Sequence, residues 1–205
     1  MYIGLVGLFD IEASKQWCEL AWSPNSIDWE RISPGTPLIP NGAYDEYDWG
    51  CIFAAKPLVE KDRIRMYYGA NDGRFMAWRN GFLALGWLRT DGFAGYELIV
   101  GGSNKTGSLT TVPVSVMGEE IMINADVAPS GFVEVSVLDE SGKTLATGEL
   151  INKTATDGIV KWKDEFSLVG MKGENIKLDF RVRDAKVYSF GFTNTIGGVV
   201  VDTQS

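Results

Sequence analysis

Apolar and polar positions alternate with a period of two over much of this chain. Val133-Glu-Val-Ser-Val-Leu138 and Lys177-Leu-Asp-Phe-Arg-Val-Arg183 show the pattern cleanly, and the turn Asp139-Glu-Ser-Gly142 follows the first of them. No stretch sustains the 3.6-residue spacing of an amphipathic helix. Short runs rich in Val, Ile, Phe, Tyr and Trp are instead punctuated by Gly, Asn and Asp, which predicts an all-β protein. The expected strands of the first half lie near 2–9, 16–23, 28–32, 50–58, 63–70, 82–89 and 93–97. Those of the second half lie near 109–116, 119–127, 131–138, 144–151, 158–163, 174–183 and 186–193. One apolar and one wet face per strand in the second half is what an antiparallel β-sandwich requires.

The two halves differ in texture. Six of the seven tryptophans fall in residues 1–97, and Gly101-Gly-Ser-Asn-Lys-Thr-Gly-Ser108 reads as a linker. The expected organisation is a first β region over 1–100, a linker over 101–108, a sandwich over 109–193 and a C-terminal tail over 194–205. Within the tail, Val199-Val-Val201 is expected to form one more strand, on an open sheet edge of its own chain or of a neighbour. In the first region Leu20-Ala-Trp-Ser-Pro-Asn-Ser-Ile-Asp-Trp29 echoes Leu85-Gly-Trp-Leu-Arg-Thr-Asp-Gly-Phe93. The echo fits two unrelated hairpins or the outer hairpins of successive four-stranded propeller blades.

Composition removes whole classes of chemistry. With no histidine, a Ser-His-Asp or Cys-His nucleophile and any His-ligated metal centre are out of reach. The two cysteines, Cys18 and Cys51, cannot build a cysteine-only metal site; they fit one disulfide or two core thiols. The net charge is −8 and no basic stripe follows a phosphate backbone, so nucleic acid is not an expected partner. No apolar run approaches the roughly 20 residues that span a bilayer. Met1 to Phe9 lacks a basic start and meets Asp10 and Glu12 at once, so it reads as a strand rather than a signal peptide. Carboxylates, tyrosines and lysines remain, an inventory that suits glycoside hydrolysis and sugar binding equally.

Five segments run in a familiar order: Leu20 to Arg31, Ile39-Pro-Asn-Gly42, Cys51-Ile-Phe-Ala-Ala-Lys-Pro57, Asp62-Arg-Ile-Arg-Met-Tyr-Tyr-Gly69 and Leu85 to Glu97. Together they resemble the last blades of the five-bladed β-propeller glycoside hydrolases, the broad invertase-like and arabinanase-like group. Asp184-Ala-Lys-Val-Tyr-Ser-Phe190 is similar to the closing strand of the β-sandwich that often follows such propellers. The resemblance implies propeller-blade-like β structure over 1–100, with at most one and a half blades here and the N-terminal blades, which bring much of the catalytic carboxylate set, absent. It also implies a histidine-bearing loop after Tyr-Tyr-Gly69, where this chain has Asn71-Asp-Gly-Arg-Phe-Met-Ala-Trp-Arg79.

Candidate chemistry gathers in Ala43-Tyr-Asp-Glu-Tyr-Asp-Trp-Gly50. By the resemblance this segment enters an innermost strand, which makes Asp48 and Glu46 the candidate catalytic carboxylates; the plainer role is a solvated loop capping a strand entry. Tyr44, Tyr47 and Trp49 suit a sugar platform or burial between blades, and Asp45 belongs to the same candidate binding set. Arg74, Trp78 and Arg79 complete it; an Arg here serves a sugar carboxylate or sulfate, or else an ion pair with Asp72 or Asp91. Asp28, Asp91, Asp126, Asp139, Asp157 and Asp184 fit turns and strand ends. No metal or cofactor is expected. The functional expectation is a non-catalytic carbohydrate-binding or assembly module derived from a glycoside hydrolase scaffold. The alternative is a glycoside hydrolase whose cavity is completed by other subunits or by a missing N-terminal part. Expected partners are a carbohydrate or glycan surface and further copies of the chain, joined through open β edges of residues 1–97.

Overall fold

A computed structural model describes residues 1–98, 105–196 and 199–202. These residues are wholly β, in two sheets, with no helix and no closed barrel. No helix of the described residues is therefore long and apolar enough to cross a membrane. The chain divides into two compact units, Met1–Ala94 and Gly95–Ser205.

The first unit opens with a hairpin of β1 (Tyr2–Asp10) and β2 (Lys15–Ser23), paired without a break from Tyr2↔Ser23 to Asp10↔Lys15. Asp10 closes its turn by accepting the Ala13 amide at 2.8 Å. The short β3 (Glu30–Arg31) adds to β2. A second antiparallel set follows: β4 (Cys51–Ala54), the short β5 (Leu58–Val59), β6 (Arg63–Asn71) and β7 (Gly81–Arg89). It joins the first through a single parallel pair, Gln16↔Cys51. Period-two alternation decides the faces of β6: Ile64, Met66, Tyr68 and Ala70 are buried while Arg65 and Tyr67 turn the other way. Cys18, Ile52, Tyr68 and Ala70 form the core cluster, with Leu5, Ile39, Ala54 and Ala84 against it. Both thiols are free and buried, so the disulfide alternative is excluded and the core role stands; burial also pushes each thiol pKa up.

The second unit contains β8 (Tyr96–Glu97), β9 (Gly107–Thr110), β10 (Val114–Ser115), β11 (Glu120–Leu138), β12 (Thr144–Thr147), β13 (Ala155–Ile159), β14 (Asn175–Ile196) and β15 (Val199–Asp202). Four expected strands, 119–127 with 131–138 and 174–183 with 186–193, are here two long ones, β11 and β14, paired antiparallel along their length. Their pairing slips between Val127 and Phe132, where Asp184 takes a left-handed φ of 43° and Ser130 donates to its carboxylate at 3.2 Å. A Cβ on Gly131 would stand 2.3 Å from the Asp184 carbonyl oxygen, so only glycine lets the two strands turn this corner together. Beyond the corner each half-sheet gains its own neighbours: β13 and β15 on one side, β12 and β9 on the other. Ile121, Ile123, Val133, Val135, Leu178 and Phe180, drawn from both halves, share one core. The expected apolar face is thus continuous through strands that bend, and the Ala-Pro-Ser-Gly stretch that resembles a hairpin turn is a bend within a strand.

Of the expected linker, residues 101–104 lie outside the described residues, and Gly107 and Ser108 begin β9. The Val199 strand exists and pairs with β14 of its own chain, Ile196↔Val199 to Thr193↔Asp202.

Candidate functional site

Three connections meet at one end of the first sheet: the β1–β2 turn, the 40–50 segment entering β4, and the 72–80 loop between β6 and β7. Asn41 anchors the second of these, donating from Nδ2 to the carbonyls of Gln16, Asp48 and Gly50 at 3.2, 3.4 and 3.3 Å. The segment is a compact pair of turns. Ala43 N–H donates to the Glu46 carboxylate at 2.7 Å, and the Trp49 amide donates to the Glu46 carbonyl at 3.1 Å. Asp45 takes a φ of 73°, a conformation that aspartate tolerates better than most side chains.

The 72–80 loop is held from both ends. Asp72 accepts the Asn80 amide at 2.8 Å and the Asn80 Nδ2 at 2.7 Å, one on each carboxylate oxygen. Those bonds, the side-chain one first, lower its pKa below the ordinary aspartate value. Further along, the Phe75 amide donates to the Ser14 carbonyl at 2.7 Å and Met76 N–H to the Ser14 hydroxyl at 3.1 Å. Arg79 donates to the carbonyls of Phe75 and Ala77 and lies over the Phe75 ring. The ion-pair alternative with Asp72 or Asp91 is therefore not realised by Arg79, whose guanidinium serves backbone carbonyls of its own loop.

The two loops touch backbone to backbone. A Cβ on Gly50 would lie 1.7 Å from the Gly73 carbonyl oxygen, so glycine is obligatory there. Beside this contact opens a cavity of about 510 Å³ lined by Tyr44, Asp45, Trp49, Asp72, Gly73 and Arg74. Tyr44 meets Trp49 edge-on, with ring centroids 5.1 Å apart and planes at 84°, and remains 80% exposed. Lys15 Nζ sits 3.9 Å from the Trp49 ring centroid, covering one face of the indole. Tyr44 is therefore the ring free to stack on a ligand, with Trp49 fixing its orientation.

Of the sequence-derived candidates, the fold gathers Tyr44, Asp45, Trp49 and Arg74 around this cavity. Asp48 and Glu46 do not line it. Glu46 closes the turn, and Asp48, only 8% exposed, faces the interior, with the Tyr68 hydroxyl 3.5 Å from its carboxylate. Tyr47 joins the same network, its hydroxyl 3.0 Å from that of Tyr68 and its ring edge against Phe82. Burial first, and then the neighbouring Tyr47 and Asp48, push the Tyr68 phenol far above its ordinary value. Trp78, 92% exposed, stands outside the cavity lining, as does Arg79. Sequence reasoning missed Lys15 and the glycine contact. Lys15 and Trp49 are distant in the chain, and only the β2–β4 pairing brings them together. Among the described residues no group of three or more acidic or cysteine side chains is placed to hold a metal ion.

Compared with protein-family models, curated proteins and solved structures, the chain gives no match.

Proposed function

We propose that this protein is a non-catalytic carbohydrate-binding module whose site is the cavity at the Gly50–Gly73 contact. The observation that carries the reading is the joint lining of that cavity by an exposed, edge-braced Tyr44 and by Asp45, Asp72 and Arg74. A sugar ring presents an apolar face to stack on an aromatic ring and a rim of hydroxyls to bond with carboxylates and guanidinium. The volume of about 510 Å³ falls in the range of small-ligand sites. Two features favour binding over hydrolysis. Asp48 and Glu46 are outside the lining. Asp72, which does line it, has its pKa lowered, whereas a glycosidase general acid needs a carboxyl whose pKa is raised.

Titration of the protein with neutral and charged oligosaccharides at millimolar concentration, followed by amide chemical shifts, tests this directly. The expected result is saturable shifts confined to residues 44–49 and 72–74, lost in Tyr44→Ala. Absence of any saturable shift rejects the proposal. Turnover of any glycoside that is lost in Asp48→Asn would revive the glycoside hydrolase alternative.

The assembly reading has its own observation. Among the described residues β1 and β7 each pair on one side only, leaving two nine-residue edges open. On β7 the side chains of Leu83, Leu85 and Trp87 are exposed on one face, with Leu83 at 80%. Such edges invite pairing with another chain, and further copies of this one are the proposed partner. Light scattering on a size-exclusion column distinguishes a closed oligomer from a monomer, and a monomer at all concentrations rejects this second reading.

A further inference from the structure

Two cations at the cavity bear on what kind of sugar it takes. In a chain with a net charge of −8, Arg74 lines the cavity and Lys15 sits on the ring of Trp49, which also lines it. Among the described residues neither cation forms an ion pair, although Arg31, Arg63, Arg65, Lys163, Arg181 and Lys186 all do. Asp72, the anion nearest in sequence to Arg74, forms no ion pair with it and directs its two oxygens at the Asn80 amide and side chain. Asp45 is the other lining carboxylate, placed to accept ligand hydroxyls.

Resting on the saccharide reading above, we propose that the ligand is an anionic saccharide, its ring carboxylate or sulfate ester held by Arg74 while Lys15 adds a second positive charge. A guanidinium presents two parallel N–H donors to a planar carboxylate and also bonds sulfate oxygens, and such charge-assisted bonds are about twice as strong as neutral ones. Tyr44 would stack on the sugar ring that bears the anion.

The test uses the whole chain and three probes: a galacturonic acid trimer, the same trimer with its carboxyl groups reduced to alcohols, and a sulfated galactose trimer. The expected result is binding of at least one acidic trimer about tenfold tighter than the reduced one, a preference of the size one charge-assisted hydrogen bond supplies. Raising the salt concentration should weaken the acidic complex and leave the neutral one unchanged. In Arg74→Gln the preference should fall to about unity, and Lys15→Ala should lower it in part, with unchanged amide dispersion showing that each variant is folded. The acidic trimer that binds identifies carboxylate or sulfate as the source. Equal, salt-insensitive binding of acidic and neutral trimers overturns the anionic assignment while the saccharide reading stands. No binding of any trimer overturns both.

Discussion

The two units spend their apolar residues differently. Among its described residues the second gathers sixteen buried side chains into one cluster, fed from both halves of the bent strands β11 and β14. The first holds a cluster of four, Cys18, Ile52, Tyr68 and Ala70, and leaves Ile11, Met76, Trp78 and Leu83 more than three-quarters exposed. Its interior is also more polar: Glu19 is fully buried, receiving the Trp17 indole N–H at 2.9 Å, the Gly35 amide at 2.9 Å and Arg31 at 3.2 Å. A buried carboxylate so fully engaged orders the loop after β3 without hydrophobic packing. Sheets can thus be stabilised from inside by a shared core, or pinned loop by loop through polar contacts. The second way leaves apolar surface and cavity-lining side chains available for partners, and it coincides here with the candidate site.

The strongest challenge to this contrast is Phe180→Ala, which removes a fully buried ring from the larger core. It should cost about 3–5 kcal/mol. Calorimetry should show the loss in the transition that belongs to the second unit, and a uniform shift of all unfolding would mean that the two units melt as one. Next comes Glu19→Ala, which removes the acceptor of the Trp17 indole, the Gly35 amide and Arg31. A cost of about 2 kcal/mol is expected, the magnitude for hydrogen bonds to a charged group, since the half-exposed Arg31 returns to water. An effect below 1 kcal/mol in urea titration would show that the first unit does not depend on its polar pins.

Tyr47→Phe is a finer probe, at about 1 kcal/mol for one neutral hydrogen bond. Because the bond from Tyr47 is among the causes that raise the Tyr68 phenol, the same change should bring the Tyr68 titration down, readable by ultraviolet absorbance against pH. Leu83→Lys should leave stability within about 0.5 kcal/mol, as surface changes do, and reduce self-association seen by light scattering. The smallest effect concerns acid. The Asp72 pKa is lowered in the folded protein, so its contribution is fully present above the unfolded value. It is lost as pH falls through the folded one. The Asn80 amide resonance should accordingly titrate with a midpoint below the ordinary aspartate value of about 3.9. A midpoint above that value would show that Asp72 does not anchor the 72–80 loop.

Strand positions were legible because burial on one face imposes a two-residue period that no other structure reads the same way. The runs at 2–9, 16–23, 63–70 and 82–89 correspond to β1, β2, β6 and β7 within a residue or two. Breaks were less legible. Ala128-Pro-Ser-Gly131 has the composition of a turn, and whether it reverses the chain or merely bends it depends on Asp184, far along the sequence, standing opposite. The site was legible in part. Aromatic and acidic residues crowded into 44–49 marked the loop, while the split between cavity and interior was invisible, since Tyr44 and Asp48 differ only in which way a tight turn points them.

What the chain's own order of residues determined was therefore the β class, the strand faces, the absence of histidine chemistry and the loop where candidate chemistry concentrates. These follow from local rules, namely periodicity, turn propensity and the inventory of side chains. Only the tertiary structure decided that Arg74 and Trp49 share a cavity, that Lys15 occupies the indole face, that Asp72 is spoken for by Asn80 and that Asp48 turns inward. Each of these depends on the approach of segments through space, above all the backbone contact of Gly50 with Gly73. That approach is set by strand pairing across the sheet, which no local pattern encodes.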